Sequence, residues 1–166
     1  MNSIYFADAS LKNLDEIVAI YNSTILSRMV TADLEPVSVE SKIAWFNEHK
    51  PGKRPLWIVK NKVEEIIGWV SFQNFYGRPA YDATAEISIY LREDHRGKGL
   101  GKQVLDYSID ECHNLGIKTL VGYIFAHNEP SLRLFYKAGF VEWANLPNIA
   151  LLDGFERSLK ILGKRV

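Results

Sequence analysis

Residues 85–91, AEISIYL, alternate with the period of a strand, and residues 96–102, RGKGLGK, set three glycines among two lysines, an arginine and a leucine. The next stretch, QVLDYSIDECHNLG, carries Leu105, Ile109 and Cys112 at helical spacing. A strand that stops in a glycine turn and restarts as a helix commits the chain to an α/β layout. It also brings the unpaired N–H groups of a helix N-terminus to the end of a strand, where proteins hold phosphates. Two phosphate motifs fail on spacing. The dinucleotide fingerprint needs G-x-G-x-x-G, whereas this turn is G-x-G-x-G; Gly101-Lys102 is followed by Gln103, so the metal-binding hydroxyl of an ATP-binding loop is missing. What remains is a run of small residues whose N–H groups can converge on one anion, with Arg96, Lys98 and Lys102 beside it. This favours a pyrophosphate; the competing reading is a glycine-rich turn with solvated lysines.

The rest of the chain supplies the partners of that unit. Ser3 to Ala7 is a strand candidate, and SLKNLDEIVAIYNSTI places Leu11, Leu14, Ile17, Val18, Tyr21 and Ile25 on a helix capped by Ser10. SRMVTADLEPVS is a loop, Ser38 caps a second helix through Trp45 and Phe46, and KPGKRP ends it. LWIVK (56–60) and IIGWVSFQNF (66–75) are strands, as is TLVGYIFA (119–126). PSLRLFYKAG forms a short helix ending at Gly139, and FVEWA and FERSLKIL close the chain as strands. The order predicts a single α/β (mixed α+β) domain over residues 1–166.

Composition removes several function classes. Lys plus Arg and Asp plus Glu number 20 each, so the excess positive charge of a duplex nucleic-acid binder is absent. No apolar run reaches a membrane span, the first residues lack a secretory apolar segment, and Cys112 is the only cysteine, which together predict a cytoplasmic protein. His49, His95, His113 and His127 show no metal-ligand spacing, so no metal is expected.

Two separated motifs carry a resemblance. R-G-x-G-x-G after E-x-S-x-Y-L, and NEPSLRLFYKAGF from Asn128, are similar to signatures of the GNAT superfamily of N-acetyltransferases, and the order of elements matches from end to end. YNSTILSRMVTADLEPVS, FYGRPAYDATAEISIY and DGFERSLKILG resemble the phosphinothricin acetyltransferase-like subfamily. The resemblance implies a mostly antiparallel central sheet with one splayed strand pair and helices on both faces. It implies acetyl-CoA as acetyl donor, with its pyrophosphate on the turn Arg96, Gly97, Lys98, Gly99, Leu100, Gly101 and Lys102. The backbone of Ile89, Tyr90 and Leu91 would meet the pantetheine or thioester, and Asn128 and Ser131 would approach the CoA arm. The alternative for Asn128 and Ser131 is a turn and helix cap without ligand contact. The subfamily further implies a homodimer that acetylates the α-amine of amino acids or analogues such as phosphinothricin, methionine sulfoximine and methionine sulfone.

Glu86 is the candidate base. An amino acid at neutral pH carries an ammonium, and a strand carboxylate beside the thioester can remove its proton directly or through water. The alternative is a solvated glutamate paired with Arg92. Ser88 and Tyr90 share its face and are candidate acceptor contacts. By resemblance Arg78 would bind an acceptor carboxylate, with Phe75 and Tyr76 as an apolar wall; otherwise it is a loop arginine stacked on those rings. Where the family has the tyrosine that protonates the leaving thiolate, this chain has Phe135, with Tyr136 one position later and about 100° around the helix. Tyr136 is the candidate acid, with water as the alternative. Cys112 reads as a buried small hydrophobe, and Trp45, Trp57, Trp69 and Trp143 as core or interface residues. Rival functions are a peptide or protein amine acetyltransferase, a non-catalytic acyl-CoA-binding module and, least favoured, a nucleotide-binding domain.

Overall fold

The computed structural model of the protein describes residues 4–166. Strands β1 (Tyr5–Asp8), β2 (Leu56–Lys60), β3 (Ile66–Asn74), β4 (Thr84–Leu91), β5 (Thr119–Phe125), β6 (Val141–Leu152) and β7 (Phe155–Arg165) form one sheet in the order β1-β2-β3-β4-β5-β7-β6. The helices are α1 (Leu14–Ile25), α2 (Val39–Glu48), α3 (Leu100–Asp110) and α4 (Glu129–Lys137). Ser3, the expected start of the first strand, lies outside the described residues.

Alternation along the strands, interrupted at Ile67 by a bulge opposite Val59 and Lys60, sorts side chains to two cores. Ile58, Ile66 and Trp69 meet Leu14, Ile17, Val18 and Ile20 of α1, with Trp45 and Phe46 of α2 packed against them. Val59, Ile67, Val70 and Phe72 face the other way, onto Leu100, Val104 and Leu105 of α3 and Leu132 and Phe135 of α4. β2 and β3 are therefore apolar on both faces and read as near-continuous hydrophobic runs.

Every neighbouring pair is antiparallel except β4 and β5, which run parallel. That pair is short: Thr84↔Thr119, Ala85↔Leu120 and Glu86↔Val121, after which the strands part. The sheet thus splits beyond Glu86, giving the splayed pair that the resemblance implied.

Several boundaries differ from the sequence reading: the helix expected through QVLDYSIDECHNLG ends at Asp110, with Cys112 in the turn that follows, and the last strand extends to Arg165. The first helix is preceded by a 3-10 turn, Leu11–Asn13, in which the Asn13 Oδ1 accepts the Ser10 N–H at 2.9 Å. The strand expected at FVEWA runs on to Leu152, through Pro147. A shift of register between Leu146 and Ala150, with Asn148 at φ 53°, makes a bulge that absorbs the proline. The two long strands then join through Asp153 and Gly154, both at positive φ (50° and 83°), the conformation that two-residue hairpin turns favour.

Candidate active site

The face of β4 that carries Glu86, Ser88 and Tyr90 looks toward α1 and α2. In register across β3 stand Gln73, Ser71 and Trp69, so three rungs of paired residues floor a cavity of about 230 Å³. Ile17, Val18 and Tyr21 of α1 form one wall, and Lys42 and Trp45 of α2 another. The Trp69 indole is fixed by its Nε1 donating to the Ile17 carbonyl at 3.0 Å, and the Tyr90 ring stacks on it at 4.3 Å between centroids. Tyr21 tilts against Tyr90 at 5.3 Å and donates to Asp33, with Thr31 also within hydrogen-bond reach. Burial, aided by the hydrogen bond to Asp33, pushes the Tyr21 hydroxyl up to about 12, so it stays a neutral donor. The Tyr90 hydroxyl is likewise raised, mainly by burial.

Glu86 is half-buried at the last β4–β5 pair, where the sheet begins to open. Its carboxylate has no hydrogen-bond or ion-pair partner among the described residues, and burial raises its pKa above the usual carboxylate value. The alternative pairing with Arg92 does not occur; Arg92 bonds Asp94 at 3.0 Å. Tyr123, two residues beyond Val121 on β5, shares this face of the sheet, and burial, with a smaller contribution from the Glu86 charge, raises its pKa.

The gap exposes particular backbone groups. The Arg92 N–H donates to the Ile67 carbonyl of β3 at 2.9 Å. Hydrogen bonds of an antiparallel strand alternate sides, so Tyr90, Ser88 and Glu86 bond to β3 while Ile89 and Leu91 present their N–H and C=O groups to the gap. Of the three residues expected to contribute backbone, Ile89 and Leu91 are therefore available and Tyr90 is committed. The Leu91 carbonyl is itself occupied, by Arg96 Nε at 3.0 Å.

The glycines of RGKGLGK do two different jobs. Gly97 and Gly99 have φ of 72° and 77°, which a side chain would strain, and their positions for a Cβ are open. Gly101 lies in the first turn of α3, where a Cβ would stand 3.2 Å from Leu134 of α4. The Leu100 side chain is buried in the core, so only its backbone can face a ligand. No side chain caps α3, whose first N–H groups point out of the turn. Lys98 Nζ reaches the Asp94 carbonyl at 2.6 Å, and Lys102 pairs with Asp106. The turn residues and the gap-facing groups of β4 thus suit a pyrophosphate followed by an amide-bearing arm.

Other expected residues lie elsewhere. The Asn128 side chain caps α4, accepting the Ser131 N–H at 3.3 Å. Phe135 is buried with its ring on Gly122 of β5, where an added Cβ would come within 2.8 Å. Tyr136 is 41% exposed, and its hydroxyl sits 3.4 Å from Glu142, beside Lys160 on the β6–β7 side. It does not line the Glu86 cavity. Arg78 and Phe75 line a separate depression with Pro79 and Tyr81, and Tyr76 is exposed at positive φ. The sequence reading missed Tyr21, Lys42, Ser71, Gln73 and Tyr123, and it placed Trp45 and Trp69 only in the core or an interface. Their spacing marked apolar or polar faces, but nothing in it said that those faces meet over Glu86. Among the described residues no three His, Cys, Asp or Glu side chains gather as metal ligands, and no helix is long and apolar enough to cross a membrane.

The chain is similar to known proteins. Residues 17–140 match the acetyltransferase (GNAT) family. YwnH of Bacillus subtilis (strain 168), provisionally named a phosphinothricin acetyltransferase, is 50% identical over 95% of this chain and 96% of its own. The L-amino acid N-acyltransferase MnaT of Escherichia coli (strain K12) is 32% identical over 83% of this chain and 80% of its own. The structure of the acetyltransferase yncA from Salmonella typhimurium with its cofactor acetyl-CoA superposes with a TM-score of 0.88 at 25% identity, over 99% of this chain and 94% of the other.

Proposed function

Because the chain belongs to the acetyltransferase (GNAT) family and is an acetyl-CoA-dependent N-acetyltransferase, we propose that its acceptor is the α-amine of an amino acid or of an analogue of the phosphinothricin, methionine sulfoximine or methionine sulfone type. The observation that carries this reading is the unpartnered Glu86 carboxylate in a small cavity at the point where β4 and β5 separate. Glu86 takes a proton from the acceptor ammonium, directly or through one water. The neutral amine then attacks the thioester carbonyl carbon, and a gap-facing N–H such as that of Ile89 stabilises the developing oxyanion. The C–S bond breaks, and the CoA thiolate leaves without a covalent acetyl-enzyme. The attacking nitrogen gives up its second proton to solvent as the amide forms, and the thiolate is protonated from that water, since the Tyr136 hydroxyl is directed at Glu142.

The turn from Arg96 to Lys102 is the seat we assign to the pyrophosphate. The cavity volume lies below the roughly 300–1,000 Å³ of pockets for drug-sized ligands, which favours a free amino acid over a peptide amine. The unpaired base favours catalysis over simple acyl-CoA binding. The names of YwnH and MnaT, a phosphinothricin-type and an amino-acid enzyme, support the same acceptor class. We place the enzyme in the cytoplasm as a homodimer; β6, with Val141, Trp143, Ile149 and Leu151 exposed, offers an apolar edge for the second copy. Sedimentation velocity tests the dimer. CoA release across amino acids, their analogues and simple amines tests the activity, and turnover with none of them would refute it.

A further inference from the structure

The Glu86 cavity contains a second charge, of opposite sign, on its far wall. Lys42 and Trp45 are three residues apart on α2 and therefore share a face, and both line the cavity. Lys42 Nζ lies 5.0 Å from the centre of the Tyr21 ring and 5.9 Å from that of Trp45. Aromatic faces attract an ammonium without neutralising it. No carboxylate pairs with Lys42 among the described residues, although its side chain is partly buried.

The other basic groups around the site are already engaged. Arg92 holds Asp94, Arg96 holds the Leu91 carbonyl, Lys98 holds the Asp94 carbonyl and Lys102 holds Asp106. Arg78 borders the separate depression. Within the cavity the charged side chains are Glu86 on the sheet and Lys42 on the helix, with polar Ser71, Gln73 and Ser88 on the floor and apolar Ile17, Val18, Trp45 and Trp69 around them. A zwitterion with an ammonium and a carboxylate on one carbon complements both charges, and an apolar or weakly polar side chain suits the walls.

We propose that Lys42 is the carboxylate anchor of the acceptor, held by the Tyr21 and Trp45 rings, and that it makes the enzyme select amino acids over the corresponding amines. The proposal rests on the amino-acid reading above. A charged hydrogen bond to the carboxylate would be formed in both ground and transition states, so its loss acts mainly through KM.

The test compares methionine sulfone with its decarboxylated counterpart, 3-(methylsulfonyl)propan-1-amine, as acceptors for the wild type, Lys42→Met, Lys42→Arg and Arg78→Ala. Lys42→Met should lower kcat/KM for the amino acid by about 10- to 100-fold, the size expected for a lost charged hydrogen bond. It should change the amine by less than about threefold, and Lys42→Arg should recover most of the loss. Equal losses for both acceptors, or an unchanged amino acid preference in Lys42→Met, would overturn the anchor and leave the amino-acid reading standing. So would selectivity lost in Arg78→Ala alone. A wild type that prefers the amine would overturn both.

Discussion

Replacing Glu86 with Gln removes a charge while keeping the shape of the side chain, and the structure predicts that activity and stability move in opposite directions. General-base catalysis is worth about 10²–10⁴-fold, or roughly 2.7–5.4 kcal/mol of transition-state stabilisation. kcat/KM should fall by that factor at neutral pH. The acidic limb of its pH profile, set by a carboxyl raised above the usual value, should disappear. Stability follows from the same shift. Below the unfolded pKa of a glutamic acid both states hold the proton, and wild type and variant should melt alike. As pH rises from the unfolded pKa toward the elevated folded value, the wild type keeps a proton that the unfolded chain releases, and above the folded value it buries a charge. The Gln variant bears neither cost. Its relative stability should therefore be flat at low pH, climb from the unfolded pKa to the folded pKa, and level off above it. Each unit of upward displacement corresponds to about 1.4 kcal/mol, and each kcal/mol moves Tm by about 2–4 °C in a chain of 166 residues. Because the carboxylate has no partner among the described residues, no hydrogen bond is lost to offset the gain. Thermal melts from pH 4 to 9, paired with initial rates of CoA release, measure both. A variant that keeps its acidic limb and its rate, or one that melts lower than wild type at pH 8, would refute the reasoning.

Three further outcomes follow from the geometry. Gly99→Ala forces an alanine to φ near 77° with no steric clash, so it should cost about 1–2 kcal/mol and raise KM for acetyl-CoA more than for the acceptor, read by thermal melts and initial rates. Phe135→Ala should lower stability by about 3–5 kcal/mol in denaturant melts through the cavity left on Gly122, whereas Tyr136→Phe should stay within about 0.5 kcal/mol and leave kcat within threefold. Cys112, 1% exposed and with its thiol raised to about 12 chiefly by burial, should resist aromatic disulfide reagents at pH 8 until the protein unfolds, and then react once per chain.

Much of this molecule was legible because its signals are periodic or stereochemical. Period-two alternation put Glu86, Ser88 and Tyr90 on one face and Ile87, Ile89 and Leu91 on the other, and the sheet keeps that division. Ser38 reads as a helix cap and accepts the Ser41 N–H at 3.2 Å. Cys112 reads as a small hydrophobe and is one. The boundaries that slipped were those where one local rule was overridden by pairing. Pro147 argues against a strand, yet a bulge carries it within β6 because β7 supplies a partner on either side.

The candidate site was harder because its two halves come from segments that meet only in the fold. Glu86 and Arg78 lie eight residues apart in sequence, which invites their assignment to one site, but the turn at Tyr76 and Gly77 sends Arg78 to a different depression. Lys42 lies forty-four positions before Glu86 and reaches its cavity because α2 packs on α1 over the same sheet face. Helical spacing assigns Lys42 and Trp45 to one side of α2, but no local pattern says which strand residues that side will cover. That depends on how Ile17 and Val18 seat α1 against Trp69, a packing choice made by shape and buried area across the sheet. Strand periodicity therefore gives the face on which Glu86 lies, while the placing of Lys42 over it is set by helix docking. Substitutions at Lys42 and Trp45 should shift acceptor choice, read from initial rates across acceptors, while leaving KM for acetyl-CoA within about twofold.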